Sequence, residues 1–337
     1  MLAFEVNGTA TPIAAANSMA QGENHLPIRH ILLGLPICYL ILCLVLAIVL
    51  SELAFRPPRI PLDEQQWQSA KKTVSRLGSA LEDVSISTPD ARLQAWFIHP
   101  PNPNGNAVIL LHGVSDNRLG MMPFAELLLA NGYAVLVPDS RAQGMSGGDF
   151  PTYGLKETGD VRQWFNWVVA RQHPPCVFAL GESMGGSIAL QALRQTPFCA
   201  VIAESAFASF LQIGYLRMGQ VFHGGAWVGR FALRPAVELA FLYGRITRGI
   251  NLAAASPERA VAGSRVPILL IHGLADKNIP PQQSERIRDR NPAGISLWEV
   301  PRADHCGTIN AAYDEFTSRV LGWFAAHGAA AHLTPSR

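Results

Sequence analysis

The sequence has few cysteines and little charge for its length, and both shortages exclude classes of protein. Only five of the 337 residues are cysteine: Cys38, Cys43, Cys176, Cys199 and Cys306. No two of them form a C-x-x-C pair, and no cysteine–histidine cluster has the spacing of a zinc site. Charged residues make up 15% of the chain and the net charge is +2. We therefore expect no disulfide framework, no metal and no nucleic acid as a partner.

One stretch lacks charge altogether. Residues 31–50 are apolar, and as a helix rising 1.5 Å per residue they would reach about 30 Å, the thickness of the hydrocarbon core of a bilayer. They show no amphipathic period, and no A-x-A cleavage site follows. The pattern predicts a single transmembrane anchor at 30–51, in the cell membrane, after a flexible tail at 1–29. The alternative is a buried core helix.

The charges that flank this stretch leave its orientation open. Arg29 precedes it, whereas Arg56 and Arg59 follow it, and this one-charge excess favours a cytoplasmic C-terminal side. Against that, an N-terminal anchor followed by a long domain commonly translocates the domain. The sequence therefore does not decide on which side of the membrane the rest of the chain lies.

After a predicted linker and short helix at 52–78, strands and helices alternate. Strands at 84–86 and 93–98 flank a Thr-Pro-Asp turn. Short apolar runs, typical of strands buried on both faces, follow at 107–111, 134–137, 177–180, 200–203 and 267–271. The alternation predicts an α/β fold with a doubly wound, mostly parallel sheet over 79–327, followed by a tail at 328–337.

Two cysteines, Cys176 and Cys199, each open one of two consecutive predicted strands. Neighbouring strands lie about 4.8 Å apart, and disulfides need Cα separations of about 4.4–6.8 Å. A bond is therefore geometrically conceivable, but only in an oxidising compartment. We expect the thiols of Cys176, Cys199 and Cys306 all to be free.

Ser183 is the candidate nucleophile. It is the serine of a G-x-S-x-G motif at 181–185, with an apolar strand before it and a helical segment at 187–193 after it. A serine on such a tight turn has a strained backbone and needs small neighbours. At a helix N-terminus the partial positive charge favours a developing oxyanion.

Asp276 and His305 are the candidate partners of this serine, because its hydroxyl needs a base. Each follows a predicted strand, and the order Ser, Asp, His is the one expected for this arrangement. Loops at the carboxyl ends of parallel strands form the functional edge of a sheet. We predict that His305 is the general base and that Asp276 orients its ring. Asp304 is the alternative acid, but it is adjacent to His305 and reaches the far ring nitrogen poorly.

The backbone amides of Met184 and Val114 are the candidate donors of an oxyanion hole. Met184 follows the nucleophile, and Val114 lies in the loop after the strand at 107–111. His112, in the same loop, is expected to order that loop and not to act as a base.

Together these motifs resemble the α/β-hydrolase superfamily, in particular its lysophospholipase-like and acyl-esterase branch. The matching segments lie between residues 82 and 327: 112–113, 139–147, 181–186, 272–273 with Asp276, and 304–305. The resemblance implies hydrolysis of esters, thioesters or, in some members, amides, without a cofactor. The usual Arg-Gly-x-Gly turn reads Arg-Ala-Gln-Gly at 141–144. Asp139 and Arg141 are expected to form a charged pair that braces this loop.

A small helical cap is expected at about 207–250, because this stretch exceeds what the fold needs between two strands. It is rich in aromatic residues and arginine. Its apolar face either packs on the core or also touches a membrane interface, where both residue types are favoured.

The function predicted from these features is a membrane-anchored serine hydrolase that cleaves carboxylic esters, including lipid-like acyl esters, through an acyl-enzyme. Its partners are then a small acyl ester and the lipid bilayer. A peptidase or amidase with the same triad is the alternative, followed by a non-catalytic binding protein on the hydrolase fold. Since the candidate triad lies wholly beyond the anchor, deletion of residues 1–52 is expected to leave an active enzyme.

Overall fold

The structure is a computed structural model that describes residues 28–328. The predicted tails at 1–29 and 328–337 lie outside the described residues, apart from residues 28, 29 and 328. The chain divides after Leu42 into two compact units, and the second, which begins at Cys43, contains the sheet and every candidate site residue.

The described residues form one sheet of eight strands in the order β1-β2-β4-β3-β5-β6-β7-β8. The strands are β1 Ala80–Ser87, β2 Arg92–His99, β3 Ala107–Leu111, β4 Ala134–Pro138, β5 Val177–Glu182, β6 Val201–Glu204, β7 Ile268–Gly273 and β8 Ile295–Val300. Strand β2 pairs antiparallel with β1 and β4, and all other pairs are parallel. The predicted doubly wound, mostly parallel sheet is therefore confirmed.

Helices cover both faces of the sheet. The helices among the described residues are α1 Ile28–Phe55, α2 Glu64–Arg76, α3 Met122–Ala130, α4 Glu157–Gln172, α5 Met184–Ala192, α6 Phe210–Val221, α7 Gly225–Trp227, α8 Arg234–Arg248, α9 Pro257–Ala260, α10 Gln282–Arg288, α11 Thr308–Ala311 and α12 Tyr313–Gly328. Strand β3 shows why two layers are needed: Ile109 belongs to the apolar core on one face of the sheet, and Leu110 to the core on the other. Side chains that alternate between faces of a buried strand must be covered on both sides.

Helix α1 is long and apolar enough to cross a membrane between Gly34 and Phe55, with a mean hydropathy of 2.7. This composition fits a membrane span or a signal sequence. From Cys43 onward one side of the helix is buried at every fourth residue, at Cys43, Ala47, Ser51 and Phe55. A spacing of four residues marks a single helix face. The last three turns of α1 therefore pack against the rest of their own unit.

The partners of that face come from helices between β6 and β7. Helices α6, α7 and α8 occupy the stretch for which the sequence predicts a cap. Cys43 shares a small apolar cluster with residues of α6, of α8 and of the turn before α8, namely Tyr215, Met218, Leu233, Ala236 and Val237. Cys43 and the cap thus share one small core, whereas Phe55, at the end of α1, belongs to one of the two cores of the sheet.

The expectation of free thiols at Cys176 and Cys199 is wrong. The two cysteines form a disulfide, with their Cα atoms 5.7 Å apart. The parallel register of β5 and β6 explains it, because the Cys199 amide donates to the Val177 carbonyl at 3.0 Å and so aligns the strand starts side by side. Cys38, Cys43 and Cys306 are free.

Candidate active site

Ser183 stands at the turn where β5 ends and α5 begins. Its φ of +50° and ψ of −113° lie in a region that only a tightly constrained residue adopts. The turn holds because the Ser183 amide donates to the Glu204 carbonyl at 2.8 Å. A side chain at Gly185 would collide with the Leu111 carbonyl of β3. The glycine therefore lets the backbone close under the serine and raises its hydroxyl above the sheet edge.

The structure brings Ser183, His305 and Asp276 together. His305 Nε2 lies 3.0 Å from Ser183 Oγ, and His305 Nδ1 lies 2.7 Å from Asp276 Oδ2. With Nδ1–H donating to the carboxylate, Nε2 carries the free lone pair and can accept the serine proton. The three groups come from loops after β5, β7 and β8, at the same edge of the sheet. The arrangement can activate a hydroxyl nucleophile.

Asp276 is held by several donors besides His305. Its Oδ1 accepts hydrogen bonds from the amides of Asn278 and Ile279, both at 2.9 Å. The buried His272 places Nε2 3.3 Å from Oδ2. Burial of the carboxyl acts to raise its pKa, but the donors outweigh it, and the pKa of Asp276 lies well below its ordinary value. Asp276 is therefore a carboxylate throughout the neutral range.

Asp304, the alternative acid, has an exposed side chain, whereas Asp276 is 4% exposed. The Nδ1 atom of His305 is already bonded to Asp276. The geometry thus assigns the ring contact to Asp276.

The two candidate oxyanion donors flank the serine. Met184 is the first residue of α5, so its amide has no partner within the helix. Among residues 28–328, neither this amide nor that of Val114 donates to another protein group. Both residues line the cavity that contains Ser183. Two free amides beside a nucleophile can bind an oxyanion.

His112 is buried and bridges two loops. The Ser140 amide donates to its Nε2 at 2.9 Å, so Nδ1 carries the proton and donates to the Gly113 carbonyl at 2.7 Å. The ring thereby fixes the peptide next to Val114, which is the ordering role expected from the sequence.

Asp139 and Arg141 do not pair with each other as expected. Asp139 accepts from the Arg118 guanidinium at 2.8 Å, and Arg141 pairs with Asp160 at 2.6 Å. Both pairs still brace the loop after β4. The sequence interpretation failed because the partner of each charge lies on a segment distant along the chain.

A pair of buried carboxyl groups lies beside the serine. Glu182 and Glu204 end the paired strands β5 and β6 at the same register position. Burial, reinforced by the carboxyl groups of Glu204 and Asp116, raises the pKa of Glu182 to about 9. Burial also raises the pKa of Glu204, although the Thr308 hydroxyl and amide donate to it. Sequence reasoning missed this pair, whose signal was an acidic residue at the end of each of two neighbouring strands.

A cavity of about 490 Å³ opens over Ser183 and His305. This is the volume of a small-molecule site. Its walls are mostly apolar and come from the end of α1, the loop after β3, and the cap helices α6 and α8. Among the described residues, Arg217 is the one arginine or lysine that lines it, and desolvation lowers the pKa of that guanidinium. The α1 residues, Leu50, Ser51, Leu53, Ala54 and Phe55, were not expected there.

No group of three or more His, Cys, Asp or Glu side chains is placed to hold a metal ion within residues 28–328.

A sequence model of the alpha/beta hydrolase family matches residues 108–319, which include Ser183, Asp276 and His305. The chain belongs to the alpha/beta hydrolase family. This alpha/beta hydrolase is similar to YqkD, an uncharacterized protein of Bacillus subtilis, with 26% identity over 61% of the chain and 66% of YqkD. It is also similar to the uncharacterized protein YfhR of Escherichia coli K12, with 28% identity over 66% of the chain and 73% of YfhR.

Solved structures resemble this alpha/beta hydrolase as well. The esterase Pf2001 of Pyrococcus furiosus superimposes with a TM-score of 0.64 and 26% identity, over 81% of the chain and 99% of the esterase. The acylaminoacyl peptidase of Pyrococcus horikoshii gives a TM-score of 0.56 at 18% identity, over 74% of the chain and 42% of the peptidase. The second likeness shows a shared fold.

Proposed function

We propose that this alpha/beta hydrolase is a serine carboxylic ester hydrolase, anchored in a membrane by α1 and acting through an acyl-enzyme. The observation that carries the proposal is the continuous hydrogen-bonded series Ser183–His305–Asp276 at the floor of an apolar cavity. The likeness to the Pyrococcus furiosus esterase supports an ester as the substrate.

In the acylation half of the reaction, Ser183 Oγ attacks the ester carbonyl carbon while His305 Nε2 takes the serine proton. The negative charge on the carbonyl oxygen is stabilised by the amides of Val114 and Met184. Collapse of the tetrahedral intermediate breaks the bond to the alkoxy oxygen, which receives the proton from His305 and leaves as an alcohol. Asp276 stabilises the imidazolium throughout.

In the second half, water attacks the acyl group on Ser183 and gives one proton to His305. The same two amides hold the second oxyanion. Collapse releases the carboxylic acid and returns the proton to Ser183 Oγ, so that the cycle consumes ester and water only.

The end of α1 supports the anchor over a cleaved signal sequence. Phe55 is 1% exposed and Cys43 is fully buried, both in the unit that carries the sheet. By contrast Leu35, Leu40 and Ile41 are each more than half exposed. A helix that leaves large apolar side chains exposed at one end and docks at the other is suited to a bilayer followed by a folded domain.

Lipid-like acyl esters are the proposed substrates because the cavity walls are apolar, and Arg217 offers a cation for an anionic head group. A peptidase would instead need polar groups that pair with a peptide backbone.

The test is activity labelling of the full-length protein. We expect a fluorophosphonate probe to label the wild type and the Ser296→Ala control, whose serine is exposed on β8, but not Ser183→Ala. Hydrolysis of p-nitrophenyl esters should fall by about 10⁴-fold or more in Ser183→Ala. Labelling of Ser183→Ala, or faster turnover of aminoacyl amides than of esters by the wild type, would contradict the proposal.

A further inference from the structure

We propose that the last two turns of α1 form a wall of the acyl-binding pocket, so that the membrane helix itself sets which acyl chains reach Ser183. This inference rests on the proposed ester hydrolase function and goes beyond it, because it gives the anchor a part in substrate selection.

The cavity shows the contact directly. Leu50, Leu53, Ala54 and Phe55 line the same cavity as Ser183 and His305. Residues of the cap helices, including Ile213 of α6 and Phe241 of α8, line the same cavity. A chain bound at Ser183 would thus contact both α1 and the cap.

This end of α1 is fixed to the catalytic unit by polar contacts on both sides. The Tyr153 hydroxyl donates to the Ala54 carbonyl at 2.7 Å. The Arg248 guanidinium, at the end of α8, contacts both oxygens of Glu52 at 2.8 Å. The Ala54 carbonyl is among the last four of α1 and so lacks a helical partner. The contact with Tyr153 satisfies it within the folded domain.

Close packing adds to these contacts. At Gly244 a Cβ atom would lie 2.6 Å from Cε2 of Phe55, so a side chain at this position of α8 would displace the Phe55 ring. The Phe55 ring also meets Phe150 edge to face, with centroids 5.0 Å apart. A helix that only tethered the domain to a membrane would not need this close packing, whereas a helix that forms a pocket wall must be held in a fixed position.

The position along the helix supports a role in lipid access. Leu53 lies three residues beyond the uncharged stretch 31–50, and the unburied side of α1 before it is apolar, with Val45 and Val49 at least half exposed. Leu53 and Val221 line the cavity and are each 65% exposed, so they mark its mouth. An acyl chain drawn from the bilayer therefore meets α1 first and the nucleophile next.

The test compares two tryptophan variants of the full-length protein in detergent micelles. Ala54→Trp fills the cavity, whereas Val49→Trp, on an exposed position of the same helix outside the cavity, is the matched control. The readout is kcat/KM for p-nitrophenyl esters from acetyl to hexadecanoyl. We expect Ala54→Trp to lose about tenfold or more on the long esters, since each methylene denied burial costs about fourfold, with the acetyl ester little changed. Val49→Trp should keep the wild-type profile.

An Ala54→Trp profile that matches Val49→Trp, or an equal loss on acetyl and long esters, would overturn the proposed wall. If Ala54→Trp does not fold, Ala54→Leu should shift the profile in the same direction by a smaller factor, and an unchanged profile there would overturn the proposal equally. Every variant is also treated with fluorophosphonate. Labelling of Ser183 in all of them would show that only the pocket wall was wrongly assigned, whereas an unlabelled wild type would show that the hydrolase function itself is wrong.

Discussion

Replacing Asp276 by asparagine is expected to reduce kcat/KM by about 10⁴-fold, equivalent to about 5 kcal/mol of transition-state stabilisation. The structure gives the reason. Oδ1 of Asp276 accepts two backbone amides, from Asn278 and Ile279, and Oδ2 accepts Nδ1–H of His305. An asparagine must keep its oxygen toward the two amides, which leaves its NH₂ facing His305.

That orientation reverses the histidine. Nδ1 would have to accept a proton from the amide, so Nε2 would carry the hydrogen and could no longer accept one from Ser183. The loss of the carboxylate also removes stabilisation of the imidazolium. The backbone contacts survive, and the fold should therefore persist.

The assay is kcat/KM on a p-nitrophenyl ester near neutral pH, with the melting temperature measured in parallel. Asp304→Asn is the matched control, because this carboxylate is adjacent to His305 but exposed, and it should cost less than about tenfold. If Asp276→Asn keeps activity within tenfold of the wild type, or Asp304→Asn is the more damaging change, the assignment of the acid is wrong.

Three further predictions concern the disulfide, the buried carboxyl pair and the substrate. Removal of the disulfide in Cys176→Ser should lower the free energy of unfolding by about 3 kcal/mol, because the bond closes a loop with a sequence separation of 23. Denaturant unfolding of wild type and variant, with and without reductant, measures this difference. Equal stability of the two proteins would contradict the prediction. Glu182 keeps its proton in the folded state to about pH 9 but releases it near 4.5 when unfolded, so stability falls as pH rises between these values. Glu182→Gln should therefore melt with a shallower pH dependence than the wild type, and identical slopes would refute the raised pKa. Long-chain esters in anionic vesicles should be cleaved faster than soluble acetyl esters, and a steady decline from acetyl upward, unchanged by vesicles, would show that the substrate is small and soluble.

Sequence reasoning succeeded where a feature depends on local pattern. The turn around Ser183 could be predicted because strand, glycines and helix are contiguous, and the positions of Asp276 and His305 follow from the rule that parallel strands end at one edge. The same reasoning failed where the outcome depends on register or distant partners. The Cys176–Cys199 bond needed the alignment of β5 with β6, and the ion pairs of Arg141 needed the placement of α4.

The part played by the end of α1 was also beyond reach of the sequence. A run of apolar residues has the same composition whether its last turns face lipid or a protein cavity. Only the burial of every fourth residue from Cys43 to Phe55 distinguishes these two cases. We therefore expect deletion of residues 1–52 to impair the enzyme. The cut removes Leu50 and Ser51 from the cavity wall and removes Glu52, the ion-pair partner of Arg248.

The Cys176–Cys199 bond bears on how the protein is made. Lasting disulfides form in oxidising compartments, and cytosolic thiols are generally kept reduced. We expect the nascent domain to be exported before the bond closes, with α1 acting first as an uncleaved export signal and then as an anchor. On this route the residues before α1 would stay in the cytosol, and the folded domain would lie on the other side of the membrane. Order of synthesis suits this route, since α1 emerges from the ribosome before either cysteine.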